Sequence, residues 1–437
     1  GPDGSPLVGR RRLPAGAWTM ADRGDVAGNP LAAPTVADPH NVYAIAVDAE
    51  GYVHVAGNMH ADPLRYVRSV RPGSIDEWTA ATMVGAEESS VTYPAFIRAP
   101  DGALLFFYRD GRSGGGDTIL NRRAPGSGTW ERVATLIDGR SSGENAYIQR
   151  VAVDMGRSTI HLSYVWRADE DPASNRDVSY ARSEDGGRTW LASDGSALTL
   201  PMTHDTADIV LATDPGSLQL VNQGGLAVDG DGYPHAVFRT SSSAGAEGVL
   251  HVWQEGQAWR HEPLLTDRSI GGRPAVAATD GAAYLVWTER DDAQRSTLWL
   301  TKLGAGPSND EVALARLPVA GWEPTFDSVA LAERKELHLL LPATVGTDGG
   351  GTGAVATWDP ALLGGALGGV IRRRTPVCSG RGARPLPSPA AHRGWQGRKP
   401  PRGLQPPRRR SSCDRRPTGG DSRRRTRVTA RSRRSWS

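Results

Sequence analysis

Histidine, tyrosine and arginine are the side chains that move protons or hold anions most readily near neutral pH, and a few of them stand apart from a regular background here. His40 and Asn41 lie in DPHNVY, and His60 follows Asn58 in GNMHADPL. Tyr108 and Arg109 end the apolar run ALLFFYR and precede the glycine-rich DGRSGGGD, a loop type that lets a ligand come close to the backbone. Arg122 sits in LNRR, Arg167 ends HLSYVWR, Asn175 opens Asn175-Arg176-Asp177, and Asn222 and Gln223 stand together in VNQGG. The remaining strand histidines, His54, His161, His235 and His338, occupy one recurring place in a repeat and read as packing or hydrogen-bonding residues. Two histidines can begin a metal site, but no acidic or cysteine partner stands at ligand spacing, so neither metal nor cofactor is expected.

What positions these residues is a repeat: an apolar strand, a turn with Asp and usually Gly, and a second apolar strand. It is anchored at Asp48, Asp101, Asp154, Asp229, Asp280 and Glu333, with spacings of 53, 53, 75, 51 and 53 residues. The long interval holds an insertion between about Asp194 and Asn222. Two further short β-rich segments follow each hairpin, as in LRYVRSV and EWTAATMV, which makes four strands per unit, A to D from first to last. Four-stranded units at this period are the mark of a β-propeller. SEDGGRTW, Ser183 to Trp190, matches the Asp-box pattern, in which the Asp caps a turn and the Trp packs between sheets. Counting units gives an all-β, seven-bladed propeller whose first blade (strands C and D only, residues 8–24) and last blade are incomplete. In such a blade the A–B and C–D turns share one face and the B–C and D–A connections the other. The candidate residues fall on the second face, except Arg122, which is several residues into a strand C.

Charge and cysteine content say little about the folded part. The net charge of +3 over 437 residues sums two unlike pieces: residues 371–437 hold 21 of the 51 Lys and Arg against 2 of the 48 Asp and Glu, a balance of +19, which leaves −16 for the rest. We expect a disordered start at 1–7, a propeller over 8–370 and a disordered Arg/Pro-rich tail over 371–437. The tail has the composition that a GC-rich reading frame yields when shifted by one base, and is read as non-native. Both cysteines, Cys378 and Cys413, lie in it. No nucleic-acid partner is expected for the acidic body, and no run is long and apolar enough for a transmembrane helix.

DPHNVYAIAVDAEGYVHVAGNMHADPLRYVRS, VTYPAFIRAPDGALLFFYRDGRSGGGDTILNRR and HLSYVWRADEDPASNRDVSYARSEDGGRTW resemble the BNR repeat-containing family, a propeller group to which the ulvan lyases are related. The resemblance covers about residues 8 to 360. It implies β-elimination on a uronic-acid-containing polysaccharide by a secreted protein, taken here as a monomer. Carried over by motif, His40 or His60 would be the base, Tyr108 the acid, and Arg109 or Arg122 the neutraliser of the carboxylate. Asn41, Asn58, Arg167, Asn175 and Gln223, with Arg122, would bind substrate. Two departures stand out: Asn175-Arg176-Asp177 replaces an Asn-His-Asp of relatives, and the body lacks a thiolate. The competing readings are a non-catalytic carbohydrate- or protein-binding propeller and a sialidase. The second is suggested by the Asp-box alone, without an Arg-Ile-Pro block or a three-arginine clamp.

Overall fold

The computed structural model describes residues 6–12, 17–22, 31, 38, 40–167, 169–242, 245–266, 268–279, 282–304, 310–345, 351–358, 373–377 and 426–431. Asp280 and both cysteines lie outside them.

The chain opens on the hairpin β1 (Leu7–Arg12) and β2 (Trp18–Asp22). Five four-stranded antiparallel blades follow. The first holds β3 (Tyr43–Val47), β4 (Val53–Gly57), β5 (Tyr66–Ser69) and β6 (Trp78–Ala80). The second holds β7 (Val91–Arg98), β8 (Leu104–Arg112), β9 (Gly115–Arg123) and β10 (Glu131–Ile137). The third holds β11 (Asn145–Asp154), β12 (Thr159–Arg167), β13 (Arg176–Ser183) and β14 (Asp208–Leu211). β15 (Gly225–Val228), β16 (Pro234–Ser241), β17 (Glu247–Glu255) and β18 (Ala258–Leu264) form the fourth. β19 (Ala275–Thr279), β20 (Ala282–Arg290), β21 (Ser296–Leu303) and β22 (Glu311–Leu317) form the fifth. The first strands β3, β7, β11, β15 and β19 touch one another in series and so line the axis of the propeller.

The expectation of seven blades is corrected to five four-stranded ones among the described residues. Two three-stranded sheets accompany them: β23 (Leu337–Val345), β24 (Gly351–Trp358) and β25 (Arg373–Val377), and the opening hairpin with β26 (Thr426–Arg431) against β1. Two segments of the basic tail are thus strands, where the sequence reading placed none, and β1 starts one residue inside the stretch read as disordered. The anchor at Glu333 also departs from the repeat. SVALAER forms a helix, α1 (Ser328–Arg334), where a strand A was read. Its Ala, Leu, Glu and Arg content favours a helix, the Asp327 side chain accepts from the Ala330 N–H, and Lys335 closes it in the left-handed region.

The repeated Asp turns are explained by their hydrogen bonds. Asp48 Oδ1 accepts from the Tyr52 N–H at 2.8 Å, and Asp229 Oδ1 accepts from Asp231 and Tyr233 at 3.0 and 2.8 Å. The carboxylate satisfies donors that the tight turn leaves over. In SEDGGRTW the Asp185 carboxylate takes hydrogen bonds from Ser183, Arg188 and Thr189, and Trp190, 1% exposed, packs near Phe107 between the second and third blades. Strand alternation sorts β8. Leu105 and Phe107 face the third blade, whereas Leu104, Phe106 and Tyr108 pack with Met83, Ile119 and Trp130 towards the first. That parity decides what reaches the open face.

Candidate functional site

The D–A connection before β3 brings His40 against His60 of the first blade's B–C connection. Their rings stack with centroids 4.2 Å apart. Asp38 lies between them: Oδ1 meets His40 Nδ1 at 2.8 Å and Oδ2 meets His60 Nδ1 at 2.6 Å. A carboxylate only accepts, so both Nδ1 atoms donate, which in a neutral ring leaves the lone pair on Nε2. Burial alone would raise the Asp38 carboxyl. The His40 backbone N–H and the two imidazoles outweigh it and hold the group at about 2. Burial depresses His40 below the ordinary value of 6.5; the Asp38 hydrogen bond opposes this, and the charges of His60 and Arg273 add to it. Burial therefore favours the unprotonated Nε2 of His40 near neutrality. Asp38, His40 and His60 also bring one ligand atom each to within 4.8 Å of the others. The acidic partner missing from the sequence reading is Asp38, two residues before His40, and this set suits a transition-metal ion, which would compete with protons for the same atoms.

Facing the histidines is a web of aromatic and cationic groups. A bulge in β7 between Thr92 and Ala95 sets Tyr93 at φ 56°. Bulges re-aim side chains, and this one directs the Tyr93 ring to 6.1 Å from His40 and 6.0 Å from Tyr147 of β11. The Arg109 guanidinium lies 5.1 Å from the Tyr93 centroid, and donates to Tyr147 Oη at 3.3 Å and Thr92 Oγ1 at 3.1 Å. Arg167 stacks 3.9 Å over Tyr147 and donates to Asn175 Oδ1 at 2.6 Å and Asn222 Oδ1 at 3.4 Å. Ser113 of the glycine-rich loop bonds Tyr147 Oη at 2.8 Å. Glycine is needed in this loop for close approach: a Cβ on Gly116 would meet the Asp110 carbonyl oxygen at 2.9 Å and Arg109 Cγ at 3.0 Å. Burial raises Tyr93, which stays a protonated phenol. Burial also opposes ionisation of Tyr147, but Arg167, the Ser113 hydrogen bond and Arg109 overcome it and lower that phenol.

The structure thus brings His40, His60, Arg109, Arg167 and Asn175 to one region, with Asn41 beside them on the turn that bonds back to Asp38 and Gln223 next to Asn222 at φ 63°. It does not bring Tyr108, Asn58 or Arg122. Tyr108 is 1% exposed and its Oη accepts from Arg132 at 3.0 Å inside the packing towards the first blade. The Asn58 amide is buried and donates to the Leu31 carbonyl at 3.1 Å, which fixes the connection. Arg122 pairs with Asp101 at 2.5 Å, at the opposite, turn-bearing face. Arg176 bonds Glu144 at 2.7 Å and also Asp177, whose carboxylate meets His204 at 2.8 Å; this forms a separate, internally paired cluster. The repeat histidines are held inside blades: His54 by Asp48 and Tyr66, His161 by Tyr180, His235 by His251, and His338 by Glu336. A cavity of about 360 Å³ beside the SEDGGRTW turn, lined by Ala192, Asp194 and Asp208, shares no residue with the His–Tyr–Arg cluster. The sequence reading missed Asp38, Tyr93 and Tyr147.

An ulvan lyase from Alteromonas sp. (strain LOR) is 22% identical over 310 residues, 58% of this chain and 61% of that protein, so the chain spans about three fifths of that relative's length. Among solved structures, the polysaccharide lyase Uly1 superposes with a TM-score of 0.59 at 17% identity, covering 80% of this chain and 84% of that one. A PL25 ulvan lyase bound to -[GlcA(1-4)Rha3S]- superposes with a TM-score of 0.56 at 18% identity, covering 73% and 76%. At these identities the likeness shows a shared fold. No helix among the described residues is long and apolar enough to cross a membrane. The sequence profile of the BNR repeat-containing family matches residues 2–266, more than half of the chain, and the chain belongs to that family.

Proposed function

We propose that this protein is a polysaccharide lyase that cleaves a uronic-acid-containing polysaccharide outside the cell by β-elimination. The observation that carries the reading is the gathering of two imidazoles, oriented by one carboxylate, with a buried guanidinium and a protonated phenol beside them. The names of the relatives support the substrate class: one is an ulvan lyase, and one holds a fragment containing a uronic acid, GlcA.

In this reading Arg109 neutralises the C5 carboxylate, which makes the C5 proton acidic enough to leave. Nε2 of His40 or His60 takes that proton. The electron pair forms the C4–C5 double bond, the C4–O bond breaks, and Tyr93 gives its phenolic proton to the departing oxygen. Tyr93 takes the role that the motif comparison gave to Tyr108, because alternation along β8 turns Tyr108 away. Arg167, Asn175, Asn41 and Gln223 remain substrate-binding candidates. The test is incubation with uronate polymers: an unsaturated product absorbing in the ultraviolet should appear, and His60→Ala should abolish it. Binding without product would point to a non-catalytic propeller instead.

The pH profile is a second check. His40 is depressed below 6.5, so its base form persists below that pH and the acid limb of kcat/KM should lie under 6.5. Asp38 raises His40; Asp38→Asn should therefore move the limb lower still while kcat falls, because the tautomers lose their anchor. The stabilisation carried by the depressed Asp38 carboxylate is present above its ordinary 3.8 and is lost as pH falls towards 2. A limb that stays in place in Asp38→Asn removes Asp38 from the mechanism.

A further inference from the structure

The two connections that carry His40 and His60 are fastened to each other and to the next blade. The Asn58 N–H donates to the Val42 carbonyl at 3.1 Å, and the Ala61 N–H donates to Thr92 Oγ1 of β7 at 2.8 Å. The His40 backbone N–H donates to Asp38 Oδ1 at 2.8 Å, which fixes the carboxylate as well. Asn58 and Ala61, on either side of His60, stand at φ 65° and 54°. Non-glycine backbone keeps such angles only when its surroundings hold it there, and these bonds do so. Three side chains, Asp38, His40 and His60, thereby bring one oxygen or nitrogen each to within 4.8 Å of the others.

Two imidazoles and a carboxylate suit a divalent transition-metal ion such as zinc. Such ligands bind zinc at about 2.0–2.2 Å, so ligand atoms around a tetrahedral ion stand about 3.4 Å apart. Asp38 Oδ1 and His40 Nδ1 are 2.8 Å apart, and Asp38 Oδ2 and His60 Nδ1 are 2.6 Å apart, because protons join them. Admitting an ion between these atoms needs less than about 1 Å of movement. The side chains of His40, Asp38 and His60 are 40%, 27% and 31% exposed, which leaves them room to turn and an ion a way in. Among the described residues, Nε2 of neither histidine has a hydrogen-bond partner, so these nitrogens are open to coordination too. Three protein ligands leave a fourth position for water, and with no thiolate among them the ion can exchange with solvent.

We propose that Asp38, His40 and His60 form an exchangeable transition-metal site, and that an ion held there switches catalysis off. The second half rests on the lyase reading, in which a histidine Nε2 takes the C5 proton. Coordination through Nε2 occupies that lone pair directly. Coordination through Nδ1 moves the ring proton to Nε2, which then has no lone pair to offer. In both cases the ion and the substrate proton compete for the same base. Hard ions such as Mg²⁺ and Ca²⁺ prefer oxygen ligands and should leave the site free.

The test uses the full chain, with Co²⁺ as a probe read by its visible absorption and Zn²⁺ as the competitor. Wild type should bind one Co²⁺ per chain, displaced by Zn²⁺ and not by Mg²⁺. Losing even an outer-shell partner lowers metal affinity about 10–100-fold, so His40→Ala, His60→Ala and Asp38→Asn, which remove or weaken a direct ligand, should weaken binding by at least that much. His204→Ala, in the separate ion-paired cluster, should bind as wild type does. Zn²⁺ should raise the Tm of wild type and leave that of His60→Ala in place, which separates a lost site from a lost fold. Absence of stoichiometric binding, or binding unchanged in the folded ligand variants, overturns the metal site. With a uronate polymer, Zn²⁺ at the concentration that fills the site should suppress product formation, and a chelator should restore it; full turnover with the site filled overturns the switch. If Co²⁺ binds as described while the metal-free protein cleaves no uronate polymer, the metal site stands and the lyase reading fails.

Discussion

Under the lyase reading, Tyr93→Phe should lower kcat on a uronate polymer by about 10²–10⁴-fold and move KM little, whereas Tyr108→Phe should leave turnover near that of wild type. The contrast follows from where the two phenols lie. Tyr93 is at the bulge of β7, with its ring 6.1 Å from His40 and the Arg109 guanidinium 5.1 Å from its centroid, and burial keeps it protonated. In the lyase reading, a protonated phenol beside the imidazole base gives a proton to the departing oxygen while the base takes one from the sugar. Removing the hydroxyl removes the proton and leaves the ring that packs against Tyr147. Tyr108 has the same chemistry in a place where it cannot be used. Its hydroxyl accepts from Arg132, and losing that bond should cost about 1 kcal/mol of stability, read as a small drop in Tm. Steady-state kinetics with thermal melts on both variants decides the matter. Loss of turnover in Tyr108→Phe with retention in Tyr93→Phe would return the acid role to the residue that the motif comparison first suggested.

Arg109→Ala should lower kcat/KM by about 10²–10³-fold, the size found when one preorganised donor to a developing negative charge is removed. The residue is 4% exposed and bonds Tyr147 and Thr92, so a fall in activity could also come from disturbed packing. Methyl-esterified substrate separates the two causes. Esterification removes the carboxylate charge that Arg109 meets, so wild type should prefer the free acid strongly and Arg109→Ala should treat both polymers alike. Arg109→Lys keeps a charge without the fork and should fall between them. A variant that loses activity on both polymers by the same factor, keeping the preference, assigns Arg109 to packing only.

Much of this arrangement can be read from the chain because the blades repeat. The Asp turns recur at nearly constant spacing since each carboxylate caps a hairpin, and His40 and His60 stand out by departing from the place that His54 and His161 hold. Arg109, Arg167 and Asn175 were visible as polar residues at the open ends of strands. Tyr93 was not, because a bulge and a positive φ set its direction and neither leaves a mark in the alternation. Tyr108 was misplaced for want of a parity argument: it shares its side of β8 with Leu104 and Phe106, and Arg109 takes the other. Asp38 had a local signal, an Asp two residues ahead of His40, but its bond to His60 is a tertiary fact. The helix α1 was overlooked because its position in the repeat outweighed the helix preference of Ser328–Arg334.

The stacked imidazoles bonded to Asp38 behave as one acid with two addresses. With rings 4.2 Å apart, a proton placed on one raises the cost of a proton on the other, while the shared carboxylate compensates a single positive charge. The couple therefore accommodates one added proton more readily than two. In the lyase reading, a proton taken from a sugar would have to leave to solvent before the next cycle begins. Discharge of that proton, rather than the number of bases present, would then set how quickly the site is ready again.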